Sequence, residues 1–239
     1  MIELRKVDFW KRAVEAVSFF VPQGNFRFSE KGIFFKATDP SQIILVDYFV
    51  DKKFFDEYSI EPNFIGIDLV AFNRIMQRAT SRDKMVLGIS DSELKIRLES
   101  DLKRSFKLPL VDVSEDDVKV PDIKYDAKVE ISGFNLKELL KDASLFGSAV
   151  VLKVSNGKFV VEARSPQGAM ESEAIGKAIK VTSKESVTVK FSLNFFQNIV
   201  KEADNEKPVV IELKNDAPMR VSFSIGESRI VFYLASMIL

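Results

Sequence analysis

The chain repeats itself, and a duplicated unit restricts the available folds more than any other feature it carries. The stretch DLVAFNRIMQRA begins at Asp68 and SLNFFQNIVKEA begins at Ser192, each opening on a residue suited to N-capping. Leu69, Phe72, Ile75 and Ala79 correspond to Leu193, Phe196, Ile199 and Ala203, with Met76 and Val200 filling the same stripe. That spacing is the signature of an amphipathic helix. Upstream of each copy lies another helix candidate, Phe9 to Phe20 and Phe134 to Leu145, and each is followed by a hairpin. The hairpins read NFRFSEKGIFFKATDPS from Asn25 and VLKVSNGKFVVEARSPQ from Val151, with turns expected at Lys31-Gly32 and Asn156-Gly157. Strand-like segments close each half: MVLGIS and ELKIRLES in the first, VVIELK, MRVSFSI and RIVFYLA in the second. The predicted order is helix, strands, helix, strands, twice over.

Between the halves, VDVSEDDVKVPDIKY from Val111 is acidic at its start, contains Pro121 and lacks helical periodicity, so it reads as an extended connector. The expected organisation is two similar halves that mix helices and strands: an N-terminal domain over 1–111, a connector over 112–125 and a C-terminal domain over 126–239.

Composition narrows the chemistry. With no cysteine and no histidine, the chain offers no thiol nucleophile, imidazole base, disulfide or Cys/His zinc site. No apolar run approaches the roughly 18 residues of a membrane-spanning helix. Met1 leads straight into Ile2-Glu3-Leu4 with no basic and apolar leader, so an intracellular protein without a membrane partner is expected.

Lysine plus arginine number 35 and aspartate plus glutamate number 35, so attraction to a polyanion requires charges sorted onto one face. The apolar stripes fix the outward face of each helix. The first presents Lys11, Arg12 and Glu15, the second Arg74 and Arg78, the third Lys137, Glu138 and Lys141, and the fourth Asn194, Asn198, Lys201 and Glu202. Basic residues outnumber acidic ones on these faces in a chain whose total charge is zero. One such helix is an ordinary solvated surface, but four in equivalent positions of a duplicated unit suit phosphate oxygens without reading bases. The set expected to face such phosphates is Lys11, Arg12, Arg74, Arg78, Lys137, Lys141 and Lys201.

Over nearly its whole length the chain resembles the DNA sliding clamps of the proliferating cell nuclear antigen type found in archaea and eukaryotes. The resemblance is carried by ATDPSQIILVDY from Ala37, IGIDLVAFNRIM from Ile65, RSFKLPLVDVSEDDVKVPDIKY from Arg104, LKDASLFGSAVVL from Leu140, NDAPMRVSFSI from Asn215 and RIVFYLA from Arg229. It implies an α+β fold of two similar domains, each with two helices packed on antiparallel sheets, and a trimeric ring of six such domains, either a homotrimer or a heterotrimer with related subunits, whose helices line a hole threaded by double-stranded DNA, so that the cationic set above becomes the DNA-facing one. Such a protein is not an enzyme and needs no cofactor or metal. It is a processivity factor that tethers a replicative polymerase, flap nuclease or ligase in replication and repair, and a clamp loader opens it with ATP. The chain itself has no Walker A sequence. An archaeal clamp would sit in the cytoplasm at the nucleoid, a eukaryotic one in the nucleus.

The resemblance further implies that ring closure pairs the last strand of the first domain, around Leu102–Leu108, with an edge around Ala174–Ile179 in the next chain. Lys103, Arg104 and Lys107 would face that partner, with Glu171 and Glu173 as candidate counterparts. Partner proteins would present a peptide with a glutamine, an aliphatic residue and paired aromatics to an apolar pocket beneath the connector. The corresponding positions are Gln42, Ile43 and Leu45, then Val118, Val120, Pro121 and Tyr125, then Pro218, and finally Tyr233, Leu234 and Ala235. Three departures stand out. Ser236, Met237, Ile238 and Leu239 replace the family's proline and basic residue, which implies a looser C-terminal strand; Glu138 and Glu202 dilute the positive face; and Lys119 interrupts the connector.

Two rivals come from other classes. A hydrolase or nuclease would hold magnesium on Asp39, Asp68 or Asp112, yet Asp39 precedes Pro40 in a turn, Asp68 suits an N-cap and Asp112 opens the connector. A clamp-related checkpoint-type subunit, or an interaction scaffold that never encircles DNA, is the other alternative.

Overall fold

The computed structural model describes residues 1–61, 63–114, 118–176 and 179–239. Residues 115–117 of the expected connector and 177–178 of the expected interface segment lie outside the described residues. The chain divides into two units, Met1–Lys119 with Ile225–Ile230 and Val120–Ser224 with Val231–Leu239.

In the first unit the elements run β1 (Ile2–Leu4), α1 (Val7–Ser18), β2 (Gln23–Ser29), β3 (Gly32–Thr38), β4 (Ile44–Asp51), a 3-10 turn at Lys52–Phe54, β5 (Glu57–Tyr58), β6 (Asn63–Asp68), α2 (Leu69–Met76), β7 (Lys84–Ile89), β8 (Glu93–Glu99) and β9 (Lys103–Pro109). One sheet has the order β5-β1-β7-β8-β9, and β4-β3-β2-β6 run in sequence in another. The described pairings among these strands are antiparallel. Trp10 of α1 and Phe72 of α2 meet edge to face at 5.7 Å, both almost fully buried, and Phe26 of β2 reaches Phe72 at 6.3 Å. Burial of each such ring stabilises the fold by about 1.5–3 kcal/mol, and the edge contacts add to that.

In the second unit the order is β10 (Ala127–Ser132), α3 (Gly133–Ala143), β11 (Ala149–Ser155), β12 (Lys158–Ser165), β13 (Gly168–Ala174), β14 (Ile179–Ser183), β15 (Val187–Ser192), α4 (Leu193–Val200), β16 (Pro208–Leu213), β17 (Met219–Ile225) and β18 (Ser228–Leu234). The sheets are β13-β12-β11-β15 and, in part, β14-β10-β16-β17-β18. Leu136, Leu140, Phe196 and Ile199 supply the buried stripes of α3 and α4. Gly133 opens α3 because the chain passes too close for a side chain: a Cβ there would stand 2.3 Å from the Asp204 carbonyl oxygen. No described helix is long and apolar enough to cross a membrane.

The four helices appear where the periodicity places them, with α1 and α3 each starting and ending earlier than their apolar spans. Asp68 caps α2 by accepting from the Ala71 amide at 2.8 Å, but Ser192, in the equivalent place, makes no side-chain cap to α4. The second hairpin turns at Asn156-Gly157, with φ of 51° and 74°, as a two-residue turn of this sequence requires. The first turns one residue earlier than expected. Ser29 pairs with Gly32, so Glu30-Lys31 form the loop and Gly32 starts β3. The segment expected at an interface, Ala174–Ile179, is not one strand. Ala174 ends β13, the outer strand of its sheet, and Ile179 begins β14, which pairs with β10. The edge therefore lies upstream, where alternating exposed and half-buried residues run from Gly168 to Ala174.

Candidate nucleic-acid interface and partner-binding residues

Each unit carries a helix pair with the same lysine in the same role. In the first, Lys11 of α1 is half-buried and its Nζ donates to the Ala79 carbonyl at 3.4 Å, just past the end of α2. In the second, Lys137 of α3 donates to the Ala203 carbonyl at 2.6 Å and to Asn205 Oδ1 at 3.0 Å, just past the end of α4. Carbonyls at a helix C-terminus lack intrahelical donors and carry the negative end of the helix dipole, so an ammonium there is favourable. These two cations of the expected DNA-facing set thus also hold their helix pairs together. The sequence carried the signal: a lysine in the second turn of the first helix, and an alanine ending the stripe of the second, in both repeats.

The remaining expected cations differ between the units. Arg74 and Arg78 are exposed on and just beyond α2, and Arg12 is half-buried on α1. Beside them Glu15 accepts from Gln77 Nε2 at 3.0 Å. In the second unit Lys141 is exposed but bonds Glu138 at 2.6 Å, and exposed Lys201 lies 3.9 Å from Glu202. Solvent-exposed pairs of this kind contribute about 0–1 kcal/mol and yield easily to a competing anion.

Sequence reasoning missed a buried network behind Arg78. Asp83, 1% exposed, accepts from the Thr80 amide at 2.7 Å, Thr80 Oγ1 at 2.8 Å, Ser100 Oγ at 2.8 Å and Arg104 Nη2 at 2.6 Å. Burial alone would raise its pKa, but these donors outweigh it and hold the carboxyl well below the usual carboxylate range. Arg104 Nη1 also donates to the Arg78 carbonyl at 2.9 Å. Arg104 therefore points into its own unit, because alternation along β9 turns Arg104, Phe106 and Leu108 to one face and Lys103, Ser105 and Lys107 to the other. It does not face outward beside those lysines as expected.

The expected partner-motif residues fall into two groups. In the first unit, Asp39 organises the loop by accepting from the amides of Ser41, Ile43 and Ile44 at 3.1, 2.7 and 2.7 Å. That leaves Gln42 exposed at φ 58° and Ile43 36% exposed, while Leu45 turns into the core. Gln42 and half-buried Val118 line a groove of about 990 Å³ with Asn25, Phe34, Lys36 and Phe64. In the second unit Val120, Pro121, Tyr125, Pro218 and Ala235 are half-buried, Tyr233 is buried and Leu234 is fully buried in the core. Arg220 Nε donates to the Tyr233 hydroxyl at 3.3 Å, and its guanidinium pairs with Glu212. Burial, with nearby Tyr233 and Glu212 adding, pushes the Tyr125 hydroxyl pKa well up, so it stays neutral. The C-terminal tail is pinned, against expectation: the Met237 amide donates to the Lys190 carbonyl at 2.8 Å.

Two of the three candidate magnesium carboxylates are otherwise engaged, Asp39 by three amides and Asp68 by its helix. Among the described residues, no three or more acidic side chains gather as a cation site.

Residues 1–127 match the family described as proliferating cell nuclear antigen, N-terminal domain, and residues 119–238 match its C-terminal domain. The chain is 30% identical over 234 residues to a DNA polymerase sliding clamp of Methanococcus vannielii, covering 95% of this chain and 94% of that one. It is 29% identical over 231 residues to DNA polymerase sliding clamp 1 of Thermococcus kodakarensis, covering 93% and 92%. Among solved structures, the proliferating cell nuclear antigen of the same Thermococcus superposes with a TM-score of 0.93 at 21% identity, covering 99% of both chains. The Entamoeba histolytica protein gives 0.90 at 21% identity, covering 99% of this chain and 98% of that one. These likenesses establish the fold.

Proposed function

The chain belongs to the proliferating cell nuclear antigen family, and from that premise we propose that it is a DNA polymerase sliding clamp. It closes with two further subunits into a ring around duplex DNA, and it tethers replication and repair proteins to the template without chemistry of its own. The observation that carries this reading is the order of the two family matches, which together span residues 1–238, with a cationic helix pair in each unit.

In this reading Arg74, Arg78, Lys141 and Lys201 meet phosphate oxygens directly, with Arg12 beside them. Lys11 and Lys137 contribute field while holding the helix ends. Contacts of this kind carry no base information and weaken with salt, which permits sliding. Partner peptides with an aliphatic residue and aromatic anchors engage Gln42, Ile43 and Val118 in the first unit and Val120, Pro121, Tyr125, Pro218, Tyr233 and Ala235 in the second. Leu45 and Leu234 support those residues from the core. The polymerase, nuclease, ligase and loader are the expected bearers of such peptides, inside the cell at its DNA.

The test is topological. Loaded on closed circular DNA the protein should be retained through a salt wash, and linearising the circle should release it. Charge reversal at Arg74, Arg78 and Lys141 should weaken loading without lowering the unfolding temperature. Equal retention on circular and linear DNA would refute encirclement.

A further inference from the structure

Three phenylalanines face outward from a sheet of the first unit, where alternation calls for polar residues. Phe64 of β6, Arg27 of β2, Phe34 of β3 and Phe49 of β4 stand directly opposite one another in register, one row across four neighbouring strands. Their neighbours along the strands, among them Phe26, Phe28, Phe35 and Val50, are buried in the core, so the row lies on the other face. A sheet packed on one side ordinarily turns polar side chains to the other. Here Phe64 is 37% exposed, and half-buried Phe34 and Phe49 pack together with ring centroids 4.5 Å apart. The Arg27 guanidinium lies 5.4 Å from the centre of the Phe64 ring.

Beside this row the start of the connector is held against the sheet. The Val111 amide donates to the Gly66 carbonyl at 3.0 Å, and a Cβ at Gly66 would strike the Val111 carbonyl oxygen. Asn25 Nδ2 donates to the Val113 and Ser114 carbonyls at 3.1 and 3.3 Å. Connector and row together line the groove of about 990 Å³. Its charged lining among the described residues is Arg27, Lys36 and Lys119 against Asp47. Lys36 and Lys119 are exposed, and neither forms an ion pair among the described residues.

We infer that this groove is a second docking site for partner proteins, and that its occupant is an acidic stretch of polypeptide carrying a phenylalanine or leucine. The inference rests on the clamp reading for the kind of partner and goes beyond it in place, sharing with the motif-binding residues only Gln42 and Val118. The sign of the lining selects carboxylates over ammonium groups. The row spans three strand spacings, about 14 Å, the reach of about four extended residues. Carboxylates of such a stretch meet Arg27, Lys36 and Lys119, while its apolar side chain covers the exposed edges of Phe34 and Phe64. A single strand of nucleic acid suits the groove less well. Its bases stack on open ring faces, whereas each of these rings already packs against an in-chain partner, and three cations beside a carboxylate neutralise few phosphates.

The experiment reads fluorescence anisotropy of a labelled peptide of about ten residues, glutamate and aspartate around two phenylalanines, on the full chain. Its comparators are the same peptide with lysine for every acid, and oligothymidylate of equal length. The acidic peptide should bind at least about ten-fold tighter than its lysine counterpart. R27E/K36E should weaken it about ten-fold or more, and F34T about five-fold, with unfolding midpoints confirming the fold of each variant. R74E/R78E, on the helix cations, and V120A, among the motif-binding residues, should leave it unchanged. Failure of the acidic peptide to bind, equal binding of both peptides, or tighter binding of oligothymidylate overturns the inference. So does loss of binding in R74E/R78E or V120A with none in R27E/K36E. A chain that binds the peptide only after E115Q/D116N/D117N also overturns it, because its own acids would then be the occupant. The clamp reading is judged separately, since R27E/K36E should keep wild-type retention on circular DNA whether or not the peptide binds.

Discussion

Replacing Lys137 by methionine separates a lysine that holds the fold from one that holds DNA. Methionine preserves the unbranched stem and removes the ammonium, so packing changes little. What is lost is a charged donor to the Ala203 carbonyl at 2.6 Å and to Asn205 Oδ1 at 3.0 Å, beside the C-terminus of α4. Hydrogen bonds to charged groups contribute about 1.5–3 kcal/mol each, and a cation at a helix end about 0.3–1 kcal/mol. Ala203 is buried, but its bond to Lys137 is only part-buried and the bond to Asn205 is exposed, so the smaller end applies and we expect a loss of about 1–2 kcal/mol. Urea unfolding monitored by circular dichroism should show the midpoint fall with the slope unchanged. Lys201→Met, whose ammonium lies 3.9 Å from Glu202 on an exposed site, should cost less than about 0.5 kcal/mol while lowering the salt dependence of DNA retention. If Lys137→Met leaves the unfolding midpoint in place and changes only the salt dependence, the capping assignment is wrong and Lys137 is a phosphate contact.

Asp83→Asn should cost about 3 kcal/mol or more, because it leaves the Arg104 guanidinium facing a neutral partner in a buried network. The pH dependence has a definite sign. The folded carboxyl is held below its unfolded value of 3.8, so its contribution is full above that value and is lost as pH falls toward the folded pKa. Wild type should therefore lose its stability advantage over Asp83→Asn progressively below about pH 4, and equal acid sensitivity of the two would contradict the assignment. For partner recognition, Ile43→Ala and Val120→Ala should each weaken an aromatic-anchored peptide by about 1–2 kcal/mol in calorimetry at unchanged fold stability. Unaltered affinity in both would place the peptide elsewhere.

Much of the fold was legible because it rests on short-range periodicity. The stripe Leu69, Phe72, Met76 and its copy Leu193, Phe196, Val200 are buried as the 3.6-residue repeat requires, and Asn156-Gly157 could turn only where it does. The first hairpin shifted by one residue because Gly32 mimics a turn glycine, while the Ser29–Gly32 pairing assigns it to the strand. Short β1 and the two-residue β5 were invisible, since three or fewer residues carry no readable alternation. Side-chain direction was the least legible quantity. Lys103, Arg104 and Lys107 form one basic cluster in sequence, but strand alternation sends Arg104 inward to Asp83, a partner on a distant loop that no local pattern names.

The duplication also explains why the two helix pairs should not bind DNA equally. The capping lysines Lys11 and Lys137 occur in both copies, as expected for a role in joining helices. The solvent positions around them have diverged. Arg12 and Glu15 on α1 stand where α3 has Glu138 and Lys141, while Arg74 and Arg78 stand where the second copy has Asn198 and Glu202. In the second unit both exposed lysines lie against an acid of their own unit, Lys141 on Glu138 and Lys201 near Glu202, whereas in the first the main acid, Glu15, is bonded by Gln77. A phosphate approaching the first unit thus meets Arg74 and Arg78, each able to donate two parallel bonds, and one approaching Lys141 or Lys201 in the second must first displace a carboxylate. Reversing Arg74 and Arg78 should accordingly reduce DNA retention more than reversing Lys141 and Lys201, although each pair changes the chain's charge by the same amount. Equal effects would mean that only total charge matters and that the placement of these side chains does not.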